Sequence, residues 1–354
     1  MKVLTIGSDR QLFVVGSEVR QRIIDLATAS TELHIVVFAK RSLGLQSEQI
    51  VSNVWIYPTN SASRWHYVWD AVRLGRQFRG IGIEVVSGQD PFECGLAAWF
   101  VSRRLAAKLQ LQIHTDFLNP YFWHESFLNK IRVLLARFLL PRADSVRVVS
   151  RMIADSLQSA GCRIKANPVI LPVFVDVGKI KNSPIKTDLR KKYPQFDKII
   201  LMASRFTREK NIGLAIEAMH EIVKFRPKTG LVIVGDGSEE KKLKAKSYKL
   251  KANVIFEPWT DDLASYYKTA DLFLVTSLYE GYGRTIIEAL ACGCQVVSTD
   301  VGVAREVGAI IATRTTLVDL IKQALFVPKK ATLKNCLIQD KQLYLRAYSN
   351  LWTI

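Results

Sequence analysis

The stretch DLFLVTSLYEGYGRTIIEALACGCQVVSTD (residues 271–300) contains an apolar strand-like run, a turn with two glycines, a helix-like run and a second strand-like run. One glutamate, Glu280, stands in the turn, and another, Glu288, stands in the helix-like run. Strands that alternate with helices are typical of a parallel sheet covered by helices. The stretch therefore predicts one unit of an α/β fold, with a carboxylate beyond the end of its first strand.

The same alternation extends through the whole chain. Strand-like runs of the first half lie at residues 2–7, 33–39, 83–88, 111–116 and 145–150. Those of the second half lie at residues 198–204, 230–237, 252–259, 271–277 and 295–300. Helix-like runs separate most of them, so we expect each half to be a Rossmann-like, doubly wound domain.

The predicted domain boundaries follow from a change of pattern in the middle of the chain. Residues 166–184 contain several prolines and have no helical period, which predicts a linker. We therefore expect an N-terminal domain over residues 1–172 and a C-terminal domain over residues 173–335. Residues 336–354 are predicted to end in a helix that carries aromatic side chains.

Size and charge limit the class of protein. The chain has 354 residues, of which 49% are hydrophobic, enough for two domains with buried cores. The formal net charge is +18, and both halves carry more cations than carboxylates. A positive field of this kind favours anionic partners, namely nucleotide phosphates, nucleic acid or an anionic membrane.

The cysteines predict a reducing compartment. The sequence contains five of them: Cys94, Cys162, Cys292, Cys294 and Cys336. Their odd number and irregular spacing form no disulfide framework, which is typical of the cytosol. Cys292 and Cys294 would bind a metal only with distant partners, and packing as small residues is the interpretation that we favour. The apolar runs predict neither a signal peptide nor a membrane-spanning helix, so we expect a cytoplasmic protein.

Two cations follow the first strand of the second half. Parallel sheets bind ligands beyond the carboxyl ends of their strands, and four such ends carry polar loops. The first of these loops contains Arg205 and Lys210, whose planar fork and mobile charge suit a diphosphate. In a chain as basic as this one, the same two side chains are equally well interpreted as solvated surface cations.

The turn in the opening stretch predicts an anion site. Gly281 and Gly283 permit a tight turn, and the N–H groups of residues 283–285 then begin a helix. The helical period puts Glu288 away from the apolar arc of that helix, where it could accept hydrogen bonds from a ribose or belong to a solvated face. Glu280 stands in the turn, where it would lie beside the group that the phosphates carry, or it is a helix-end charge favoured by the dipole.

The frame EGYGRTIIEALACGCQVVSTDVG (residues 280–302) resembles the signature of glycosyltransferase family 4, in which seven residues separate two glutamates. The runs at 204–211, 234–240, 87–105 and 113–117 resemble the family in the same order, so the resemblance covers most of the chain. It implies a retaining enzyme of GT-B fold that uses nucleotide sugars. Two Rossmann-like domains would face a cleft, with the C-terminal helix crossing back to the first domain.

The resemblance also implies roles for individual residues. Arg205 and Lys210 would bind the donor diphosphate and stabilise the leaving group. Glu288 would hold the ribose hydroxyls, and Glu280 would contact the donor sugar. The backbone of the turn would reach phosphate and sugar through Gly281, Tyr282, Gly283, Arg284 and Thr285.

Two first-half residues receive roles from the same resemblance. His114 matches a histidine that touches the sugar, although a strand-end histidine satisfied by its neighbours is an alternative interpretation. Gly16 corresponds to a glycine-rich loop beneath donor and acceptor, although Ser17 stands where the family often has a second glycine.

The expected chemistry needs no cofactor and no metal. The sequence has no obvious Asp-x-Asp motif, and Asp261 and Asp262 open a helix, where capping explains them. Cationic side chains and the helix N-terminus would then neutralise the departing diphosphate of a UDP- or GDP-linked sugar. The acceptor expected from the resemblance is a hydroxyl on a lipid-linked or cell-surface glycan precursor.

Two segments predict contact with a surface. Residues 125–145 form an apolar helix with flanking cations, which either packs on the sheet of its domain or lies in a lipid headgroup layer. Residues 63–80 are rich in aromatic and basic side chains. Together with the net charge, these segments are compatible with peripheral contact with the anionic inner face of the plasma membrane.

Two other classes of protein stay open as alternatives. Non-hydrolysing sugar-nucleotide epimerases share the two-domain build, but they need carboxylates placed for elimination. A nucleic-acid-binding protein is suggested by charge alone, because the sequence contains no helix-turn-helix, zinc pattern or aromatic RNA-binding strand.

Overall fold

The computed structural model of the protein describes residues 1–327, 331–335 and 340–353. These residues form two compact units. Unit 1 comprises Met1–Pro172 and Asp340–Ile354, and unit 2 comprises Val173–Gln339, each without the residues that are not described. Cys336, one of the five cysteines considered above, lies outside the described residues.

Unit 1 is built on an eight-stranded sheet. Its strands are β1 (Lys2–Gly7), β2 (Glu32–Val37), β3 (Glu48–Val51), β4 (Val54–Pro58), β5 (Val85–Gly88), β6 (Lys108–Ile113), β7 (Ser145–Val148) and β8 (Val169–Ile170). The order across the sheet is β3-β4-β2-β1-β5-β6-β7-β8. All neighbouring strands are parallel except β3 and β4, which are antiparallel.

The helices of unit 1 cover both faces of this sheet. They are α1 (Glu18–Leu26), α2 (Tyr67–Leu74), α3 (Glu93–Leu105), α4 (Pro120–Glu125), α5 (Phe127–Leu139) and α6 (Arg151–Ser159). The crossovers through α2, α3 and α5 all lead in one direction across the sheet, whereas the crossover through α1 leads in the other. Because such crossovers are right-handed, α2, α3 and α5 lie on one face and α1 lies on the opposite face.

Unit 2 is built on a six-stranded parallel sheet of order β11-β10-β9-β12-β13-β14. The strands are β9 (Lys198–Ala203), β10 (Thr229–Val234), β11 (Val254–Glu257), β12 (Leu272–Val275), β13 (Val296–Ser298) and β14 (Ile310–Ile311). The helices are α7 (Val177–Asn182), α8 (Leu189–Lys192), α9 (Ile212–Phe225), α10 (Glu240–Leu250), α11 (Leu263–Thr269), α12 (Arg284–Ala291), α13 (Ala304–Val307) and α14 (Leu317–Phe326).

The core of unit 2 lies on both faces of its sheet. Along β9, Ile199 and Leu201 enter one buried cluster, and Ile200 and Met202 enter the other. This alternation is the period of two that an extended strand imposes. A strand with both faces buried has a continuous run of apolar residues. The run KIILMA was therefore recognisable in the sequence as a buried strand.

The strand order of unit 2 reverses between β9 and β12. From β9 the chain proceeds through β10 to β11 on one side, and then returns to β12 on the other side. The loops that leave the carboxyl ends of β9 and β12 therefore diverge and leave a crevice between them. In doubly wound sheets this position is where ligands bind.

The final helix, α15 (Lys341–Asn350), packs within unit 1. The buried guanidinium of Arg147 donates to the carbonyls of Leu171 and Pro172 at 3.1 and 3.0 Å. It also donates to the hydroxyls of Tyr344 and Tyr348 at 3.3 and 3.4 Å. One buried cation thus joins the segment that leaves unit 1 to the helix with which the chain returns to it.

The two-domain α/β fold predicted from the sequence is confirmed, and each predicted strand is present. The antiparallel pair β3–β4 was not predicted. The stretch at residues 166–184 was expected to have no helical period, but it contains β8 and the short helix α7. Asp176 begins that helix by accepting a hydrogen bond from the backbone N–H of Lys179 at 2.8 Å. A helix of six residues is too short to produce a visible hydrophobic period.

No helix among the described residues is long and apolar enough to cross a membrane. The described cysteines are free thiols rather than disulfides. Cys292 and Cys294 pack at the core of unit 2, and burial raises their pKa values to about 11 and about 12. Within the described ranges, no three His, Cys, Asp or Glu side chains lie together in a way that could hold a metal ion.

Candidate active site

A cavity of about 230 Å³ opens where β9 and β12 end. Six of the residues predicted for the site line it: Arg205, Lys210, Glu280, Gly283, Arg284 and Thr285. They come from two loops that are far apart in the sequence. The cavity is therefore formed at the reversal of strand order, where the topology predicts a ligand.

Lys210 and Glu280 form an ion pair at the wall of the cavity. The ammonium nitrogen of Lys210 lies 2.6 Å from Oε1 of Glu280, and the two side chains are only 13% and 18% exposed. The hydroxyl of Ser277 donates to the same carboxylate oxygen at 2.8 Å. The pair fixes the position of both side chains, so that a cation and an acceptor of hydrogen bonds lie side by side.

Arg205 stands in a different environment. Its side chain is 75% exposed, and its guanidinium lies 3.4 Å from the carboxylate of Glu209. The hydroxyl of Thr207 donates to the same carboxylate oxygen at 2.6 Å. A long, exposed contact of this kind contributes little stability, so the guanidinium can exchange Glu209 for an anionic ligand at small cost.

Hydrogen bonds join the two loops of the cavity. The hydroxyl of Thr276 donates to the carbonyls of Lys210 and Asn211 at 3.1 and 3.0 Å. The backbone N–H of Leu278 donates to the carbonyl of Glu209 at 2.8 Å. The position of Lys210 relative to Glu280 therefore depends on backbone contacts as well as on the ion pair.

The turn Gly235–Asp236–Gly237 supports the loop that carries Arg205. The backbone N–H of Phe206 donates to the carbonyl of Asp236 at 2.6 Å. A Cβ at Gly237 would lie 2.6 Å from the carbonyl oxygen of Phe206, and one at Gly235 would lie 2.0 Å from that of Ser204. Glycine is therefore required in this turn because its backbone lies directly against the neighbouring loop of the chain.

Helix α12 begins at the cavity. Gly283 is its N-cap and adopts a left-handed conformation with φ of +88°, which favours glycine. No side chain caps the helix at this position. The N–H groups of its first turn, near Arg284 and Thr285, carry the positive end of the helix dipole and can bind an anion.

Glu288 differs from the expectation in its environment. The helical period put it on a face away from the core, but the side chain is buried with a residual exposure of 8%. It accepts hydrogen bonds from Nε of Arg284 at 2.6 Å and from the hydroxyl of Tyr267 at 3.2 Å. Burial, reinforced by the carboxylate, raises the pKa of Tyr267 well above its usual value, so this hydroxyl remains a donor.

Not all of the predicted residues meet at the cavity. Gly281 and Tyr282 lie in the turn but are not among the described residues that line the cavity, and neither is Glu288. The carbonyl of Tyr282 accepts a hydrogen bond from the backbone N–H of Val303 at 2.9 Å, which holds the turn against the next loop. These three residues therefore surround the cavity wall rather than form it.

His114 and Gly16 belong to unit 1. His114 follows the end of β6, and its Nε2 lies 3.3 Å from Oε1 of Gln112. Burial, with smaller contributions from the charges of Arg147 and Arg22, lowers the pKa of His114 to about 3. The imidazole is therefore neutral at physiological pH. Gly16 lies between β1 and α1 with φ of +80°, a value that few other residues adopt.

Two interactions at the site were missed at the level of the sequence. Trp259 lines the cavity with an indole that is 51% exposed, and Glu209 holds Arg205. The position of Trp259 in the loop after β11 was a usable signal, because that loop follows the carboxyl end of a parallel strand. The role of Glu209 was not readable, since it depends on side-chain geometry within a loop.

The capping expected at Asp262 is not formed by its side chain. Its carboxylate accepts a hydrogen bond from the hydroxyl of Ser265 at 2.6 Å instead of from a backbone N–H. The backbone of Asp262 takes part in the first turn of the helix, because its carbonyl accepts a hydrogen bond from the N–H of Ser265 at 3.1 Å.

Comparison with known proteins agrees with this fold. Residues 186–316 match the family model described as glycosyl transferases group 1, and residues 19–179 match the model of glycosyltransferase family 4. The two Rossmann-like domains, each built on a mostly or wholly parallel sheet, have the GT-B fold of the glycosyltransferases whose solved structures they resemble. The chain belongs to the group 1 glycosyltransferases of the family 4 type.

Two relatives of the chain are glycolipid synthases of the same name. The chain is 28% identical over 242 residues to the alpha-monoglucosyldiacylglycerol synthase of Streptococcus pneumoniae, covering 64% of this chain and 54% of that protein. It is 22% identical over 265 residues to the synthase of the same name from Acholeplasma laidlawii, covering 69% and 65%. The chain thus spans roughly half to two thirds of the length of these relatives.

Solved structures share the fold over nearly the whole chain. A crystal structure of HepE from Anabaena in complex with UDP and glucose has a TM-score of 0.71 and 19% identity, covering 99% of this chain and 95% of that one. Sucrose-phosphate synthase from Thermosynechococcus elongatus has a TM-score of 0.76 and 17% identity, covering 99% and 94%. At these identities the likeness concerns the fold alone.

Proposed function

We propose that the protein is a retaining, metal-independent glycosyltransferase that moves a sugar from a UDP- or GDP-linked donor to a hydroxyl acceptor. The observation that carries the proposal is the convergence of Arg205, Lys210 and the N-terminus of α12 on one cavity at the topological switch point. Together, a guanidinium, an ammonium and the N–H groups of a helix N-terminus are suited to bind a diphosphate. The family to which the chain belongs supports the same class of reaction.

The diphosphate of the donor would bind across the N-terminus of α12. Arg205 would leave Glu209 and bind the phosphate oxygens, because its present contact is long and exposed. Lys210 would keep its place beside Glu280 and add positive charge where the leaving oxygen becomes negative. Once the donor is bound, these charges would be in place before the bond breaks, so they would stabilise the departing nucleoside diphosphate with little further reorganisation.

The sugar would lie against Glu280. The carboxylate of Glu280 accepts hydrogen bonds from Lys210 and Ser277 through one oxygen, Oε1. Its second oxygen would accept hydrogen bonds from hydroxyls of the donor sugar. Glu280 would therefore orient the sugar over the phosphates while it also holds Lys210 in position.

The bond changes are those of a substitution on one face of the sugar. The bond between C1 and the diphosphate oxygen breaks, and the electron pair leaves with the nucleoside diphosphate. The acceptor oxygen forms a bond to C1 from the same face, and its proton passes to the departing phosphate. The anomeric configuration is retained, and no covalent intermediate with the protein is required.

The nucleoside would extend from the diphosphate along the rim of the cavity. The exposed indole of Trp259 offers a face on which a base can stack. Glu288 would accept hydrogen bonds from the ribose hydroxyls, held by its bonds to Arg284 and Tyr267. His114 and Gly16 remain predictions for contacts with the sugar and the acceptor.

The acceptor that we propose is carried by a lipid or by a cell-surface glycan precursor. Relatives of this chain are synthases named for the lipid diacylglycerol. Another, 36% identical over 102 residues that cover 28% of this chain and 15% of that protein, is the poly(glycerol-phosphate) alpha-glucosyltransferase of Bacillus subtilis. The net charge of +18 favours an anionic surface. We therefore propose a cytoplasmic enzyme in peripheral contact with the inner face of the plasma membrane.

The test is donor binding, followed by product analysis. Isothermal titration of UDP-, GDP- and ADP-sugars in the presence of EDTA should identify one donor that binds the parent protein. Arg205→Ala should weaken this binding at least tenfold. The matched control is Arg314→Ala, because Arg314 is 79% exposed and lies 3.3 Å from Glu217, outside the lining of the cavity.

Each alternative gives a different result. Release of nucleoside diphosphate together with a glycoside of unchanged anomeric configuration supports the proposal, whereas an isomerised nucleotide sugar indicates an epimerase. Equal donor affinity in the Arg205 and Arg314 variants would contradict the diphosphate site. Salt-dependent binding of DNA without binding of any nucleotide sugar would indicate a nucleic-acid-binding protein.

A further inference from the structure

Three helices of unit 1 lie side by side on one face of its sheet. Helix α3 packs against α2 on one side and against α5 on the other. All three belong to crossovers that lead in the same direction, and α1 covers the opposite face. The outward sides of α2, α3 and α5 therefore form a single surface, which we call the three-helix surface.

Helix α5 is apolar on two opposite sides. Its inward side packs Val133, Ala136 and Leu139 into the core, with exposures of 4% or less. Its outward side carries a second apolar stripe at helical spacing, formed by Phe127, Ile131, Leu134 and Phe138 with exposures of 77%, 46%, 60% and 42%. A helix that only packed on its sheet would have a polar outward side, so the second stripe needs another partner.

The apolar stripe continues onto the neighbouring helices. Trp99 of α3 contacts Phe138 of α5 at a ring distance of 5.5 Å and Phe100 of α3 at 4.8 Å. Phe100 is itself 40% exposed. At the α2 end of the surface, Trp65 and Trp69 are 82% and 67% exposed. Large aromatic side chains therefore recur across the surface instead of forming one isolated contact.

Cations are interleaved with these apolar side chains. Residues 126–142 contain four lysines and arginines and no carboxylate, and residues 64–79 contain four arginines and one aspartate. The guanidinium of Arg142 lies 3.7 Å from the ring centre of Phe138, and that of Arg103 lies 5.8 Å from Trp99. The positive charge is thus held at the level of the aromatic rings.

We infer that the three-helix surface docks on an anionic lipid bilayer, with the apolar stripe of α5 inserted among the headgroups. Apolar and aromatic side chains flanked by Lys and Arg are the pattern of a helix that lies in the interface of a membrane. The cations add attraction to anionic lipid, and an anionic surface complements all three helices at once. The inference rests on the proposed lipid-borne acceptor and identifies the face of unit 1 that meets the lipid.

Sedimentation with vesicles tests the inference without donor or turnover. The parent protein should bind vesicles of equal parts phosphatidylglycerol and phosphatidylcholine at least tenfold more tightly than vesicles of phosphatidylcholine alone, and less tightly at high salt. The double variant Leu134→Ser, Arg137→Glu should lose at least tenfold of this binding. Both positions are exposed, so the variant should keep the melting temperature of the parent.

The chain offers a closely matched control in α15. Leu343 is 58% exposed against 60% for Leu134, and Arg346 follows it at the same spacing as Arg137 follows Leu134. Helix α15 contacts α1, on the face of the sheet opposite to the three-helix surface. The double variant Leu343→Ser, Arg346→Glu should therefore bind the vesicles like the parent.

Several outcomes would overturn the inference. Equal loss of vesicle binding in both double variants would mean that the binding depends on the net charge of the protein and not on the three-helix surface. Equal binding to both kinds of vesicle would contradict the role of anionic lipid. Self-association that only the Leu134 variant abolishes, without vesicle binding, would make the surface a protein interface. Vesicle binding without donor binding would support this inference and contradict the proposed transferase. Donor binding without vesicle binding would support the proposed transferase and contradict this inference.

Discussion

The ammonium of Lys210 lies 2.6 Å from the carboxylate of Glu280, although 70 positions separate the two residues in the chain. The contact forms because β9 and β12 are neighbours in the sheet, and each loop leaves the carboxyl end of its strand. In this arrangement a group suited to a phosphate and a group suited to sugar hydroxyls hold each other in position. Two roles predicted separately from the sequence are therefore mechanically coupled.

Removal of Lys210 should affect both catalysis and stability. We expect Lys210→Ala to lower kcat about 10²- to 10³-fold with a smaller change in KM, because the charge acts on the leaving group. The free energy of unfolding should fall by about 1–3 kcal/mol, since Glu280 loses its partner in a largely buried place. Steady-state kinetics and urea unfolding measure the two effects. The double variant Lys210→Ala, Glu280→Gln should regain stability but not activity, and recovery of both would contradict the leaving-group role.

Glu288 should act in both binding and folding. Glu288→Ala leaves the hydroxyl of Tyr267 without its acceptor in the core, so we expect a loss of about 1–3 kcal/mol in the free energy of unfolding. Donor affinity should fall as well, as measured by isothermal titration. Adding Tyr267→Phe removes the unsatisfied hydroxyl and should restore part of the stability. Donor affinity that recovers together with stability would show that Glu288 acts only through folding.

The turn at Gly237 should control the loop that carries Arg205. In Gly237→Ala the new Cβ would lie 2.6 Å from the carbonyl oxygen of Phe206, at a φ of +150°. We expect a loss of about 1–3 kcal/mol from backbone strain and a weaker donor affinity as the loop moves. Gly161→Ala is the control, because Gly161 has φ of +62° with no atom within 4 Å of a Cβ. It should cost about 1 kcal/mol and leave donor affinity unchanged. Equal donor affinity in the two variants would contradict the supporting role of the turn.

The lowered pKa of His114 should make the folded protein less stable in acid. The pKa of its imidazole is about 3 in the folded protein, below the ordinary 6.5 expected in the unfolded chain. Between these values the unfolded chain binds a proton that the folded protein does not, so stability falls as the pH decreases from 6.5 towards 3. His114→Gln should lose less stability between pH 7 and pH 4.5 than the parent does, by urea unfolding. His124→Gln, at an exposed position of unit 1, serves as the control, and identical pH profiles of parent and His114→Gln would contradict the lowered pKa.

The strands illustrate how much local sequence can reveal. Strand β9 was predictable because both of its faces are buried, which leaves a continuous apolar run. Strand β4 lies inside the sheet, and its apolar run VWIYP was a signal that was missed. Strand β3 was not predictable, because it is an edge strand whose residues are half-buried or exposed. A strand at an edge carries no strong hydrophobic pattern, so periodicity alone does not reveal it.

Glu288 shows why the hydrophobic period of one helix is insufficient to predict the environment of a site residue. The period describes one helix by itself and correctly separates the apolar arc of α12 from its other face. It contains no information about α11, whose Tyr267 covers that other face and buries the carboxylate. The environment of a side chain depends on neighbouring elements, and these come from distant parts of the sequence.

The sequence by itself determined the alternation of strands and helices, the division into two units, and the presence of cations, glycines and glutamates beyond the strands of unit 2. These features are encoded in short stretches, where apolar periodicity and turn residues act locally. Only the tertiary structure decided which charges pair, that Glu288 is buried, and that three helices share one apolar and basic surface. Those relationships depend on strand order and on helix packing, which bring together residues far apart in the chain.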